Sequence, residues 1–329
     1  MVARGTRWLV WEIVAAVAVV AVVAAVLVAV NRVGGEPVGP AAPPSASSVS
    51  TSATPTPVRP SPLTGPVLAV KIDNVSAARP QTGIGSAEVV YVEPVEGGLT
   101  RLVAVYTGTP PDVVGPVRSA RRTDIELLAQ YGRPVLAYSG AAPELLPALH
   151  AANMVNASPR EAGTAYYRNG KRPAPHNLYV RPGRLPDGAR APAEPPLRFG
   201  PAPTAGLPTA TYRIRYQSAS FAVTWSDGGW LVSMDGTPVT DTDTGRVHAA
   251  TVVWQQVQVT SSEPGEDART VSPVAHTVGS GQAVVLRDGQ RFTGTWSRPT
   301  PRSPTTFRTA DGTELPLAPG PVWVMLTPA

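Results

Sequence analysis

The stretch "AEVVYVEPVEGGLTRLVAVYTG", Ala87 to Gly108, decides the fold of this chain. Two runs rich in valine and tyrosine flank a Gly-Gly turn, and such side chains suit a pleated, half-buried surface. Upstream, "VLAVKID" (67–73) reads as a further strand, and downstream so does "PVLAYSG" (134–140). Between them, "VGPVRSARRTDIELLAQYG" (114–132) reads as a helix that begins after Ser119. Its Ile125, Leu128 and Tyr131 keep roughly helical spacing, and Gly132 suits a C-cap. "APELLPALHAAN" (142–153) predicts a second, short helix. Strands mixed with helices imply an α/β-type mixed domain over 67–180.

Residues 181–211 are proline-rich and read as an inter-domain connection. Beyond them the pattern changes to short β runs, including "FAVTWSDGGWLVSMDG", "ATVVWQQVQVT" and "GQAVVLRDGQRFTGTW". Asp-Gly pairs at 227, 288 and 311 sit between alternating segments, a strong hairpin signal. Residues 212–329 are therefore expected to form an all-β domain, a sandwich or partly open barrel, which makes the whole chain α+β.

The N-terminus carries a different message. Arg4 and Arg7 precede a run of 23 residues, Trp8 to Val30, whose apolar character only Glu12 interrupts. About 20 apolar residues span a bilayer core. Cleaved signal peptides have shorter apolar cores and a small-residue cleavage site, and "VLVAVNRV" is a poor one. Residues 1–33 are thus expected to be a cytoplasmic tip and an uncleaved signal anchor. Arg4 and Arg7 outnumber Arg32, which places the N-terminus in the cytoplasm and the remainder outside the cytoplasmic membrane. Residues 34–66, rich in Pro, Ser and Thr, cannot bury enough apolar surface to order themselves and read as a disordered stalk.

The 329 residues carry a formal net charge of +5 and no cysteine. Disulfides, thiolate chemistry and a lipid-modified cysteine are therefore excluded. No arginine or lysine run resembles a nucleic-acid stripe, so no nucleic-acid partner is expected. Standard cofactor motifs are missing too. "GIGSAE" at Gly83 lacks a third glycine, and no phosphate loop occurs. His150, His176, His248 and His276 have no metal-ligand spacing. "DTDTG" (241–245) reads as an ordinary turn rather than a calcium loop. Neither a cofactor nor a metal is expected.

What remains is a polar cluster at strand ends and loops, where α/β-type domains place binding groups. It comprises Asp73, Asn74, Arg79, Gln81, Glu93, Glu96, Arg101, Arg118, Ser119, Arg121, His176 and Asn177. With Ser119 as N-cap, Arg121 and Arg122 stand in the first helical turn, where the macrodipole disfavours cations. Something negative should offset them. Glu93, Glu96, Asp124 and Glu126 could do so from within, as an ion-pair network. A phosphate or carboxylate held by Arg118, Arg121 and backbone N–H groups could do so from outside.

At these residues the chain resembles the YerB-like family, bacterial proteins described as lipoproteins and built on domain of unknown function 3048. The resemblance rests on "AVKIDN", "ARPQTG", "AEVVYVEPVEGGLTRLVAVY", "VGPVRSAR", "APHNLY", "GSGQAVVLRDGQRFTGTW" and "PLAPGPVWVMLTP". It implies an extracytoplasmic protein with the named domain first and a β-rich companion second, and it carries no established activity. Family members often have a lipid-bearing cysteine; here the apolar N-terminal run takes that role. "ATVVWQQ" also stands where the family pattern has an Asn-Val pair.

The expectation from residues and resemblance together is a membrane-anchored envelope protein. Its first domain would bind an anionic cell-wall polymer, a lipid-linked glycan or an envelope protein through Arg79, Arg101, Arg118 and Arg121. Two alternatives stand beside it. One is an envelope enzyme. The strand followed by "GPVRSAR" distantly resembles the LytR-CpsA-Psr phosphotransferases, so Arg118 and Arg121 would grip phosphates with Asp73 or Glu96 assisting; or Glu93 and Glu96 would act as a carboxylate pair on a glycan. The other is a purely structural role.

Overall fold

A computed structural model of the chain describes residues 63, 65–204, 206–261 and 272–329. All of them belong to one compact unit, Thr56–Ala329. The expected anchor and nearly all of the expected stalk lie outside the described residues. Among the described residues no helix is long and apolar enough to cross a membrane.

Strands β1 (Leu68–Asp73), β2 (Val89–Pro94) and β3 (Thr100–Tyr106) are buried along their whole length. Their near-continuous apolar runs are what strands covered on both faces require. Gly97 and Gly98, both at φ +68°, turn the chain from β2 into β3 in a backbone state that costs glycine little. Then come α1 (Arg122–Leu128), β4 (Val135–Ala137), α2 (Leu146–Ala151) and β5 (Val155–Ala157). β1, β4 and β5 run parallel, whereas β1 and β3 are antiparallel. Next, β6 (Tyr166–Arg168) and β7 (Leu178–Val180) form a separate hairpin.

The C-terminal half supplies β8 (Thr211–Arg215), β9 (Ser220–Ser226) and β10 (Gly229–Met234), the body of a small antiparallel sheet. β11 (Thr251–Val257), β12 (Gly279–Arg287), β13 (Gln290–Arg298), β14 (Thr306–Thr309) and β15 (Val322–Pro328) go elsewhere. They continue the first sheet in the order β14-β13-β12-β11-β15-β2-β3-β1-β4-β5, with the short strand Leu207–Pro208 on β13. β15 is parallel to both neighbours and sets Val89–Val92 opposite Val322–Met325.

The mixed sheet with few helices agrees with the α+β expectation. The self-contained sandwich or barrel over 212–329 is corrected. β15 is apolar but for Thr327 and buried up to its last residue, so its backbone needs a partner on each side, and the partners come from both halves. The connection 181–211 is likewise laced to both halves: Val67 N–H donates to Ala189 O at 3.2 Å, and Gly200 N–H to Leu317 O at 3.0 Å. The folded part also begins before residue 67. Leu63, assigned above to the stalk, is 1% exposed, and Gly65 O accepts a hydrogen bond from Ala191 N–H.

Strand alternation divides the core. Val70, Ile72, Val92, Leu102 and Ala104 face the small sheet and meet Phe221, Val223 and Trp230. Ala69, Tyr91, Val103 and Val105 face the helices and meet Leu127, Leu128 and Leu149. The helix-bearing face carries the polar cluster.

Candidate functional site

The same alternation puts Lys71 and Asp73 of β1, Glu93 of β2 and Arg101 of β3 on the face that carries α1. Arg101 stands opposite Asp73 on one side and Glu93 on the other. Residues 114–118 are threaded past this end of the sheet. Asp73 N–H donates to Pro116 O at 2.8 Å, Arg118 N–H to Lys71 O at 2.9 Å and Val117 N–H to Leu178 O at 2.7 Å. Those bonds dock the β6–β7 hairpin, whose loop then delivers His176 to Asp73.

The Asp73 side chain is wholly buried. Its Oδ2 lies 2.7 Å from His176 Nδ1 and 3.2 Å from Arg118 Nε, and its Oδ1 lies 3.4 Å from Arg101 Nη1. One carboxylate thus faces two guanidiniums and an imidazole. Burial lowers the pKa of Arg101, Asp73 opposes this, and the neighbouring charges of Arg118 and Arg121 add to the lowering. Arg101 Nε is buried without a hydrogen-bond partner among the described residues. Arg118 and His176 keep 23% and 19% side-chain exposure, so the cluster meets solvent through them.

Of the two cations at the start of α1, Arg121 is answered from within, whereas Arg122 is exposed to solvent. The helix begins at Arg122 with Arg121, not Ser119, at the N-cap. Ser119 lies upstream, its hydroxyl 3.4 Å from that of Ser139. The Asp124 carboxylate accepts from Arg121 N–H at 2.6 Å and occupies the helix end, while the Arg121 guanidinium turns back to Glu96. Nε and Nη2 each approach a Glu96 oxygen at 2.7 Å, and Nη1 donates to Ser119 O and Ala120 O. Burial would raise the Glu96 pKa, but hydrogen bonds from Arg121 and Ser272 outweigh it and hold it at about 2. A bidentate pair of this kind leaves little for a ligand to contact.

Deeper in lies a triad in which Lys71 Nζ contacts Glu93 and, at 2.8 Å, Asp124. Burial pushes Glu93 up to about 8; Asp124 adds to this and Lys71 opposes it. Glu93 is 0% exposed, so its carboxyl is closed to a glycan. Asn74, Arg79 and Gln81 brace the end of β1. Asn74 donates to Thr100 Oγ1 at 2.8 Å, Gln81 donates to Asp73 O at 3.1 Å, and Arg79 spans Asn74 O and Asp235. Asn177 accepts from Arg168 at 2.7 Å and stays out of the cluster.

The structure therefore brings together Asp73, Arg101, Arg118 and His176 from the twelve candidates. Sequence reasoning passed over Lys71, which its position as a lysine in the middle of an apolar strand could have flagged. The "DTDTG" turn holds its own backbone: Asp241 Oδ1 accepts from Asp243 N–H and Thr244 N–H, and Oδ2 accepts from Gly85 N–H.

A mixed sheet shared by two halves, with an arginine-rich centre at the strand ends, defines the class, and comparison with known proteins places it. The family models "Protein of unknown function (DUF3048) N-terminal domain" and its C-terminal companion match residues 54–193 and 209–324. The chain belongs to this family. It is 25% identical over 277 residues to "Putative lipoprotein YerB" of Bacillus subtilis (strain 168), covering 79% of this chain and 81% of that protein. The crystal structure of YerB from Bacillus subtilis matches with a TM-score of 0.66 at 22% identity, over 81% of this chain and 92% of that one, which supports the fold.

Proposed function

We propose that this chain is a membrane-anchored, extracytoplasmic envelope protein that binds an anionic ligand at Arg118, Arg101 and His176. The lipoprotein description of its relative and the apolar run Trp8–Val30 support the location. One observation carries the binding reading: the buried Asp73 carboxylate is shared by two guanidiniums, which leaves an uncompensated positive charge at a partly exposed Arg118. A phosphate or carboxylate group supplies the missing negative charge.

The Asp73–His176 contact favours a second reading, an envelope enzyme. A buried carboxylate on Nδ1 fixes the imidazole and leaves Nε2 to move a proton, the arrangement of an oriented acid–base histidine. Binding comes first in either case.

The test is calorimetric titration of inorganic phosphate into the full chain in a neutral detergent. Arg118→Gln should weaken binding about tenfold or more, the scale of one charge-assisted hydrogen bond, while the chain stays folded because Arg101 and His176 remain on Asp73. Equal affinity in the variant, or no phosphate binding by the native chain, removes the reading.

A further inference from the structure

Residues 160–184 carry Arg160, Arg168, Lys171, Arg172, Arg181 and Arg184 against a single acid, Glu161. Their net charge of +5 equals that of the entire chain, so everything else balances to zero. The segment is built around the β6–β7 hairpin, whose loop ends in His176 against Asp73.

What holds these cations matters as much as their number. Among the described residues none of the six is in salt-bridge range of a carboxylate. Arg168 donates to the neutral Asn177 Oδ1 at 2.7 Å, Arg172 to Pro80 O, and Arg184 to Thr164 O at 3.3 Å. Arg181 stacks 4.0 Å over the Tyr167 ring, itself stacked on Tyr179. Glu161, the lone acid, is hydrogen-bonded to Ser158 and near His150. Arg198, by contrast, sits between Glu194 and Glu314 and is neutralised. Neutral acceptors fix a guanidinium without cancelling its charge, so the side chain is ordered before a ligand arrives and less entropy is lost on binding.

We propose that the β6–β7 hairpin is a cationic track for a linear phosphate-bearing polymer, with Arg118 and His176 as the recessed inner end of that track. This rests on the anion-site reading only for its inner end. A thin chain reaches a recessed group that a flat bilayer does not. The hairpin also offers nothing to insert into a bilayer: the exposed large apolar side chains among the described residues, Leu99 and Leu207, lie elsewhere. Several cations acting on one polymer give an affinity that grows with chain length and falls steeply with salt.

The experiment titrates the full chain in neutral detergent with long-chain polyphosphate, with inorganic phosphate, and with phosphatidylglycerol vesicles. The native chain should bind polyphosphate much more tightly than phosphate, and salt should weaken the former far more. Arg168→Gln with Lys171→Gln should lose about tenfold in polyphosphate affinity while phosphate affinity stays within about twofold. Lys171→Arg should keep both. Arg118→Gln should weaken phosphate, so loss there with an intact track, or the reverse, tells the two proposals apart. Unchanged polyphosphate affinity in the double variant overturns the track, and so does a preference for vesicles over polyphosphate, which would assign the patch to the membrane surface.

Discussion

Glu93 shares its dry site with Lys71 and Asp124, and one ammonium cannot compensate two buried carboxylates. Holding Glu93 protonated, with its pKa up at about 8, makes the triad neutral. The unfolded chain ionises this carboxyl near its ordinary value of 4.5. Between those two values the folded state holds the extra proton, so stability falls as pH rises from about 4.5 to about 8 and levels off above. Glu93→Gln keeps an acceptor for Lys71 and removes the titration. Its denaturant midpoint should decline less across that window than the native one, as urea curves at a series of pH values will show; parallel declines would mean that Glu93 is ionised in the fold. At this scale the sequence was half legible. Asp73, Arg101, Arg118 and His176 could be named from strand ends and loops, because polar groups there are conspicuous. That Arg121 belongs to Glu96 could not, because the match depends on where α1 starts, and the helix begins three residues past Ser119.

Hairpins show how local chemistry sets an element. Asp227–Gly228 and Asp288–Gly289 both have positive φ at both residues, the state that a tight antiparallel turn needs and that Asp-Gly provides. Asp311–Gly312, identical in sequence, has positive φ only at glycine and belongs to a different turn. The dipeptide marks a reversal but does not fix its type. Asp235–Gly236 has the two-residue geometry as well. The turns also differ in what surrounds them. A Cβ on Gly228 at φ +77° meets nothing within 4 Å, whereas on Gly289 at φ +70° it comes within 2.9 Å of the Trp225 indole nitrogen. Both Gly→Ala changes incur the left-handed backbone penalty of ~1–2 kcal/mol. Gly289→Ala should cost a further ~1 kcal/mol or more of overpacking. Chemical denaturation of the two variants side by side checks the order; equal losses would show that Trp225 moves aside freely. Strands were readable from apolar runs or alternation, β4 included because its run "PVLAYSG" is apolar, but short β5 and the β6–β7 hairpin were not, since their three residues each are too few to show a period and those of β5 and β6 are mixed in polarity.

Across the whole molecule, the final strand closes the centre. β15 lies between β2 from the first half and β11 from the second, hydrogen-bonded in register to each. Helix α1 adds a second tie, because the Glu126 carboxylate accepts from Thr277 and Val278 N–H groups. The gap between the family models, from 193 to 209, falls in the proline-rich stretch, yet the sheet ignores it. Composition reports where the chain is stiff and polar; it cannot report strand pairing between residues more than 200 apart, which depends on two edges fitting each other. Neither half has a complete core alone. Residues 56–193 would leave β2 with an unpaired, apolar edge, and residues 206–329 would leave β15 the same way, which invites aggregation. Expressed separately, neither piece should give a cooperative thermal transition, while co-expression should yield a soluble complex that melts in one step. The intact chain should show calorimetric and van't Hoff enthalpies that agree. Two separate transitions in the intact chain, or a sharp transition from either piece alone, would show that the β2–β15 seam joins two domains already stable without it.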